Sequence, residues 1–300
     1  MFNPKRSKLM KNIPLLRPNV ILIVFISTAI SIISSFQAFT QEYKIKTIVI
    51  DAGHGGKDGA THGLYSTEKD VALKTALHLG EAIQAAMKDV KVIYTRTEDV
   101  FIPLYERIAV ANNAKADLFI SIHCNDMPVI RSTVTTGYKK VKGKRVPIKQ
   151  TVSRKSTSTR GTETFVSGMG RVNEQDEAIK RENAAIFLED NYKDNYEGFD
   201  PSNPENFIIL SLMKNTFRTQ SLKLAKLVQD QYVNVGRIDR GVQEKSLAVL
   251  ARAGMPAILT EIGFISNPQE EDYMNSEAGQ KEITDCLLKA IENYKKSIEG

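Results

Sequence analysis

Short β-branched runs alternate with stretches of helical periodicity along this chain. KTIVID (46–51) is a brief apolar run that ends in the glycine-rich loop 52–59, the pattern of a buried strand feeding a loop. From Thr67 onward Val71, Ala72, Leu73, Leu77, Leu79, Ile83 and Met87 recur at helical spacing, with Thr67 as N-cap before Glu68. A second strand follows at 90–95, then a helix from about Pro103 to Ala114, then a third strand, DLFISIH, at 117–123. This alternation predicts an α/β fold: a single mixed, mostly parallel sheet with helices on both faces.

The rhythm breaks at 126–160, which is polar and basic without a sustained apolar period and reads as a long loop or ragged hairpin. TETFVS (162–167) resumes the strand pattern, and 174–190 is helix-like. Residues 191–206 are rich in Asn, Asp, Gly, Pro and Tyr. Beyond them, 207–233 has helical apolar spacing, 247–250 and 257–262 read as strands, and a last helix covers 276–294. The expectation is one domain over 42–300, carrying an insertion at about 126–206 made of a basic loop (126–160) and a helical segment (174–206).

The first 41 residues contain Lys5, Arg6, Lys8, Lys11 and Arg17 but no acid, ahead of an apolar run from 20 to 33 and a small or polar stretch. That is the layout of a secretory signal peptide, and the run is short of the roughly 20 residues of a full membrane span. Cleavage near Ala38 or Thr40 is expected; an uncleaved anchor would leave the same domain outside the cytoplasm. Membrane contact is expected only through this leader, and the destination in a Gram-negative envelope is the periplasm. The leader also corrects the charge. Of the formal net charge of +6, its five cations leave about +1, while ten Lys or Arg and no acid lie between 131 and 160. The remainder is acidic, so the basic pI does not point to nucleic acid. Cys124 and Cys286 are too few for a disulfide scaffold and read as small buried residues.

Four segments carry candidate chemistry. In IVIDAGHGGKDG (48–59) a strand delivers His54 into a loop of glycines, which keep the space around an imidazole clear; such a loop alone would equally suit a phosphate. SIHCN (121–125) places His123 at the end of another strand, and strand ends of an open α/β sheet converge on one crevice. Glu68 opens the first helix, where it could complete a zinc set of two imidazoles and one carboxylate or simply favour the helix dipole. AILTEIGFISNP (257–268) puts Glu261 on a core strand, where a carboxylate needs a partner. Beside a metal-activated water it has a use as proton acceptor and donor. His62 and His78 read as structural or solvent-facing.

Taken in order, IVIDAGHGGKDGA, the Glu of STEKDVAL, SIHCN and PAILTEIGFISNPQEE resemble the type-3 family of zinc N-acetylmuramoyl-L-alanine amidases, which includes enzymes that separate dividing cells. The resemblance covers about residues 46–296. It implies Zn2+ held by His54, Glu68 and His123, with Glu261 as catalytic carboxylate. The substrate would be peptidoglycan, cut between muramic acid and L-alanine for wall remodelling or daughter-cell separation. In division members an inserted helix can plug the site with a carboxylate until an activator protein withdraws it. The helix-like insert here suggests the same arrangement, with one of Glu189, Asp190 or Glu197 at the open zinc position, or else a solvated acidic helix. For the basic stretch the choices are a solvated loop or attraction to wall carboxylates, acidic lipid headgroups or an acidic activator. The absence of Trp argues against a sugar-stacking platform. Another zinc hydrolase of the envelope, a wall peptidase or deacetylase, would use the same ligands; a non-catalytic wall-binding protein would not need them all.

Overall fold

The computed structural model describes residues 44–127, 129–156, 158–168, 177–190, 192–196 and 217–300. The leader and residues 197–216 therefore lie outside the described residues. Residues 44–300 form one compact unit.

Six strands make the central sheet: β1 (Thr47–Ala52), β2 (Lys91–Tyr94), β3 (Leu118–Asn125), β6 (Thr162–Ser167), β7 (Asp239–Lys245) and β8 (Ala257–Phe264), in the order β2-β1-β3-β8-β6-β7. All neighbouring pairs are parallel except β6 with β8. The expected mixed, mostly parallel sheet is thus present, and the strand alternation explains its two covered faces. Ile48, Ile50, Ile120 and Ile122 point to one side, against helices α1 (Glu68–Ala86), α5 (Arg218–Asn234) and α8 (Glu277–Glu299). Val49, Phe119, Phe165 and Leu259 point to the other, against α2 (Leu104–Asn113), the segment from 179 to 196, and α6 (Ala248–Ala251). Each central strand is buried on both faces, which is why β1, β3 and β8 read as near-continuous apolar runs.

Several local readings are corrected or made definite, the basic stretch taking the hairpin of its two alternatives. Residues 247–250, expected as strand, form the short helix α6; an apolar run of four suits a buried helix turn as well as a strand. The sheet position goes instead to β7, whose sequence DRGVQEK has no apolar run because it lies at the sheet edge with one side half-exposed. The basic stretch is a regular two-stranded hairpin, β4 (Val129–Val141) and β5 (Lys144–Lys155), with a bulge near Thr136. In the insert, α3 (Glu177–Asn183) runs into a 3-10 turn, Ala184–Leu188, and then α4 (Tyr192–Asn195). A further helix, α7 (Pro268–Asn275), capped by the Asn267 side chain, precedes α8. Cys124 and Cys286 are both buried and free.

Candidate metal centre

The carboxyl ends of β1 and β3 lie side by side in parallel register, with Ala52 opposite Ile122, and this brings His54 and His123 together. Their rings meet edge to face with centroids 4.8 Å apart. Gly53 permits this contact: a Cβ there would fall 2.5 Å from the His123 ring. His54 itself has a positive φ of 57°, a backbone state that a non-glycine residue adopts only where its surroundings hold it. Two buried arginines do so. Arg107 donates to Asp51 Oδ1, to the Ala52 carbonyl and, at 2.7 Å, to the His54 carbonyl. Arg96 donates to the carbonyls of Ala52, Gly53 and Lys69.

Glu68, at the first position of α1, is fully buried. Its Oε1 lies 3.2 Å from both His54 Nε2 and His123 Nδ1, and it accepts the Cys124 N–H at 2.9 Å. A fourth group, which sequence reasoning had not singled out, joins them. Glu182 from α3 places Oε2 2.8 Å from His123 Nδ1 and 3.3 Å from His54 Nε2. The ligand atoms of His54, Glu68, His123 and Glu182 all lie within 4.8 Å of one another. His54 Nε2 and Glu182 Oε2 are buried and make no hydrogen bond. Two imidazoles and two carboxylates converging at this spacing, with such atoms left over, fit a four-coordinate cation. On its far side His54 Nδ1 donates to Asp58 Oδ2 at 2.8 Å, which turns Nε2 toward the cluster.

Glu261 stands beside His123 across the β3–β8 register and is fully buried. Arg181 bridges it to the insert, donating to Glu261 Oε1 at 3.1 Å and to Glu182 Oε1 at 2.8 Å. The three carboxylates share too little positive charge for each to ionise at its ordinary pKa. Burial opposes the charge on Glu182, but His123 and Arg181 outweigh it and hold this carboxyl well below the usual range. Glu261 goes the other way: burial, reinforced by Glu182 and Glu68 and only partly offset by Arg181, pushes it up to about 8. Burial would lower His123, yet Glu182 and Glu68 raise it to about 9.

The segment from 48 to 293 matches the model of the N-acetylmuramoyl-L-alanine amidase family. The chain belongs to this family. It is similar to the amidase AmiC of Escherichia coli O6:H1 (28% identity over 249 residues, 82% of this chain and 52% of that one). AmiC of Neisseria meningitidis serogroup B is 30% identical over 253 residues, again covering 82% and 52%. The chain therefore spans about half the length of these two amidases. Among solved structures, the amidase of Clostridium difficile 630 aligns with a TM-score of 0.57 at 26% identity, covering 85% of this chain and 99% of that one.

Within this family member the sequence-predicted residues His54, Glu68, His123 and Glu261 all come together, whereas His62 is exposed and His78 half-buried on α1, neither within the cluster. Of the expected plugging carboxylates, the two that are described do not reach the cluster. Glu189 is turned away by the 3-10 segment and accepts from the Leu104 amide and Tyr196 hydroxyl, at 2.7 and 2.9 Å, at the start of α2. Asp190 is exposed, and Glu197 lies outside the described residues. A signal for Glu182 did exist: Ile179, Glu182, Asn183 and Ile186 are spaced as one buried helix face, so this carboxylate falls on the apolar stripe.

Proposed function

We propose that the protein is an exported, zinc-dependent hydrolase that cuts the amide between N-acetylmuramic acid and L-alanine in peptidoglycan, serving wall remodelling or daughter-cell separation. The observation that carries this reading is the convergence of four metal-ligating atoms within 4.8 Å beside the buried carboxyl of Glu261, in a chain of the amidase family. The leader pattern of the first 41 residues supports export and, in a Gram-negative cell, a periplasmic site of action.

In this reading His54, Glu68 and His123 hold the zinc ion. Zinc, when bound, supplies Lewis acidity that makes water a better nucleophile and a carbonyl a better electrophile. Glu261 takes the proton of the attacking water and returns it to the alanine nitrogen as the amide breaks. Burial is the largest cause raising its pKa, the direction that suits a carboxyl to both transfers near neutral pH. Asp58 fixes the His54 ring, and Arg96 and Arg107 fix the backbone beneath it. Glu182 occupies the position that a substrate carbonyl or water would need, and Arg181 holds Glu261 through a hydrogen bond. The arrangement is that of a closed resting state, which a partner of the division machinery would open by withdrawing α3.

The test is mass spectrometry of peptidoglycan digested by residues 44–300, with zinc, with a chelator, and with Glu261→Gln. Zinc-dependent release of stem peptides that begin with L-alanine is expected, with Glu261→Gln slower by about 10²–10⁴-fold. A Glu261→Gln protein that binds zinc and digests wall at the parent rate would defeat the assignment.

A further inference from the structure

The hairpin β4–β5 projects away from the amidase fold. Its strands, about 40 Å long at the usual rise, pair with each other as a separate two-stranded sheet. The tip is a tight turn in which Lys142 and Gly143 both have positive φ, the geometry that keeps two twisted strands together. An exposed ion pair from Arg131 to Glu177, at 3.3 Å, links its base to α3.

Cross-strand partners share a face and neighbours alternate, so the register sorts the side chains. Ile130, Val134, Val141, Val146, Ile148 and Val152 all fall on one face. Each is 37 to 44% exposed. The opposite face carries Arg131, Lys140, Arg145 and Lys149 among threonines, with Tyr138 stacked on Arg145 at 4.1 Å. Lys139 and Lys144 lie on the aliphatic face itself, opposite Val146 and Val141. No acid occurs anywhere between 129 and 155. A free two-stranded hairpin is marginal in water, and six half-exposed aliphatic side chains on one face of it call for a covering surface.

We infer that the hairpin docks on an anionic lipid bilayer, aliphatic face toward the acyl boundary and cations among the phosphates. Both halves of the pattern enter the choice. A soluble polyanion would neutralise the cations but leave six aliphatic side chains in water. A protein partner is recognised through pocketed aromatic and arginine anchors, whereas Tyr138 and Arg145 of this hairpin stack on each other on the face opposite the aliphatic side chains. A bilayer interface accepts aliphatic and cationic groups together without shape complementarity. The remainder of residues 44–300 is acidic, so an anionic membrane attracts the hairpin and repels the rest. The leader then ceases to be the sole membrane contact. The hairpin leaves from the end of β3, just after His123, and returns into β6, whose Glu163 lies opposite Glu261. Docking would therefore set the orientation of the metal centre above the bilayer.

Residues 44–300 form one compact unit, and a separately solved amidase aligns over 99% of its own length with 85% of this chain, so the unit can be tested without the leader. It is sedimented with phosphatidylcholine vesicles, with and without phosphatidylglycerol, at low and high salt, and in parallel with purified wall sacculi. Binding is expected to require phosphatidylglycerol. Lys140→Glu/Arg145→Glu/Lys149→Glu should weaken it about tenfold or more. Val146→Thr/Ile148→Thr/Val152→Thr, which leaves every charge in place, should remove the part that survives high salt. Equal thermal midpoints confirm that the variants are folded. Because the chain contains no tryptophan, Val146→Trp gives a separate reading: its emission should shift to the blue with anionic vesicles. Sedimentation with sacculi but not with vesicles, vesicle binding untouched by either triple variant, or unshifted Val146→Trp emission in vesicle-bound protein would each overturn the inference.

Discussion

At the level of single residues, the metal centre depends on groups that touch no ligand position. His54 is held in a left-handed backbone state by carbonyl contacts to Arg96 and Arg107, and its ring is aimed by Asp58. Partners of this kind typically change metal affinity by about 10–100-fold when removed. Asp58→Ala should weaken zinc binding by that factor, measured by competition with a chromophoric chelator, while far-ultraviolet circular dichroism stays that of the parent. An unchanged zinc affinity would show that packing alone orients the imidazole. The four candidate residues stood out because each sets a metal-ligating or acid–base side chain at a strand end, a helix start or on a core strand, and their roles were implied by the family resemblance. Arg96 and Arg107 did not. Arginine is ordinarily a surface residue, and nothing in TRTED or PLYERIAV marks one whose fork is turned inward to collect carbonyls.

At the level of elements, the insert separates what periodicity can give from what it cannot. A helix over about 174–190 was readable, of which 177–183 is α-helical; the idea of a plug came from the family resemblance alone. The residue that reaches the cluster was not readable: the sequence offered Glu189, Asp190 or Glu197, and which carboxylate arrives depends on where the helix stops. The chain leaves α-helical geometry at Ala184, and the 3-10 turn redirects Glu189 to the first turn of α2. Arg181 and Glu182 act on different groups, the first on Glu261 and the second on the two histidines. Replacing both by alanine should free the ligand position and the proton acceptor together. Wall digestion is then expected to rise within the roughly 5–150-fold range of such coupling, read as stem peptides released per minute. A double variant no faster than the parent would mean that α3 stays seated through other contacts, such as Asn183 with Ser246 and Ala248, and that the lock is not carboxylate-based.

At the level of the whole molecule, closing helices over both faces of the sheet buries two imidazoles and three carboxylates at one sheet edge, and this couples stability to pH. In the metal-free protein His123 is raised to about 9 and Glu261 to about 8. Both folded-state values lie above the unfolded ones, near 6.5 and 4.5, so each contributes stability that is complete below its unfolded value and is lost as pH rises through its folded value. Glu182 is shifted the other way, and its contribution is constant throughout this window. The metal-free midpoint of unfolding should therefore fall steadily between about pH 6 and 9. Zinc reverses the slope of the difference. Its binding requires neutral imidazole and displaces the protons that His54 and His123 hold, so affinity grows with pH as those protons become easier to remove. The gap between melting curves with zinc and with chelator should widen from pH 6 to 9. Parallel curves would mean that the cluster takes up a metal without giving up a proton, contrary to the raised pKa values of His54 and His123.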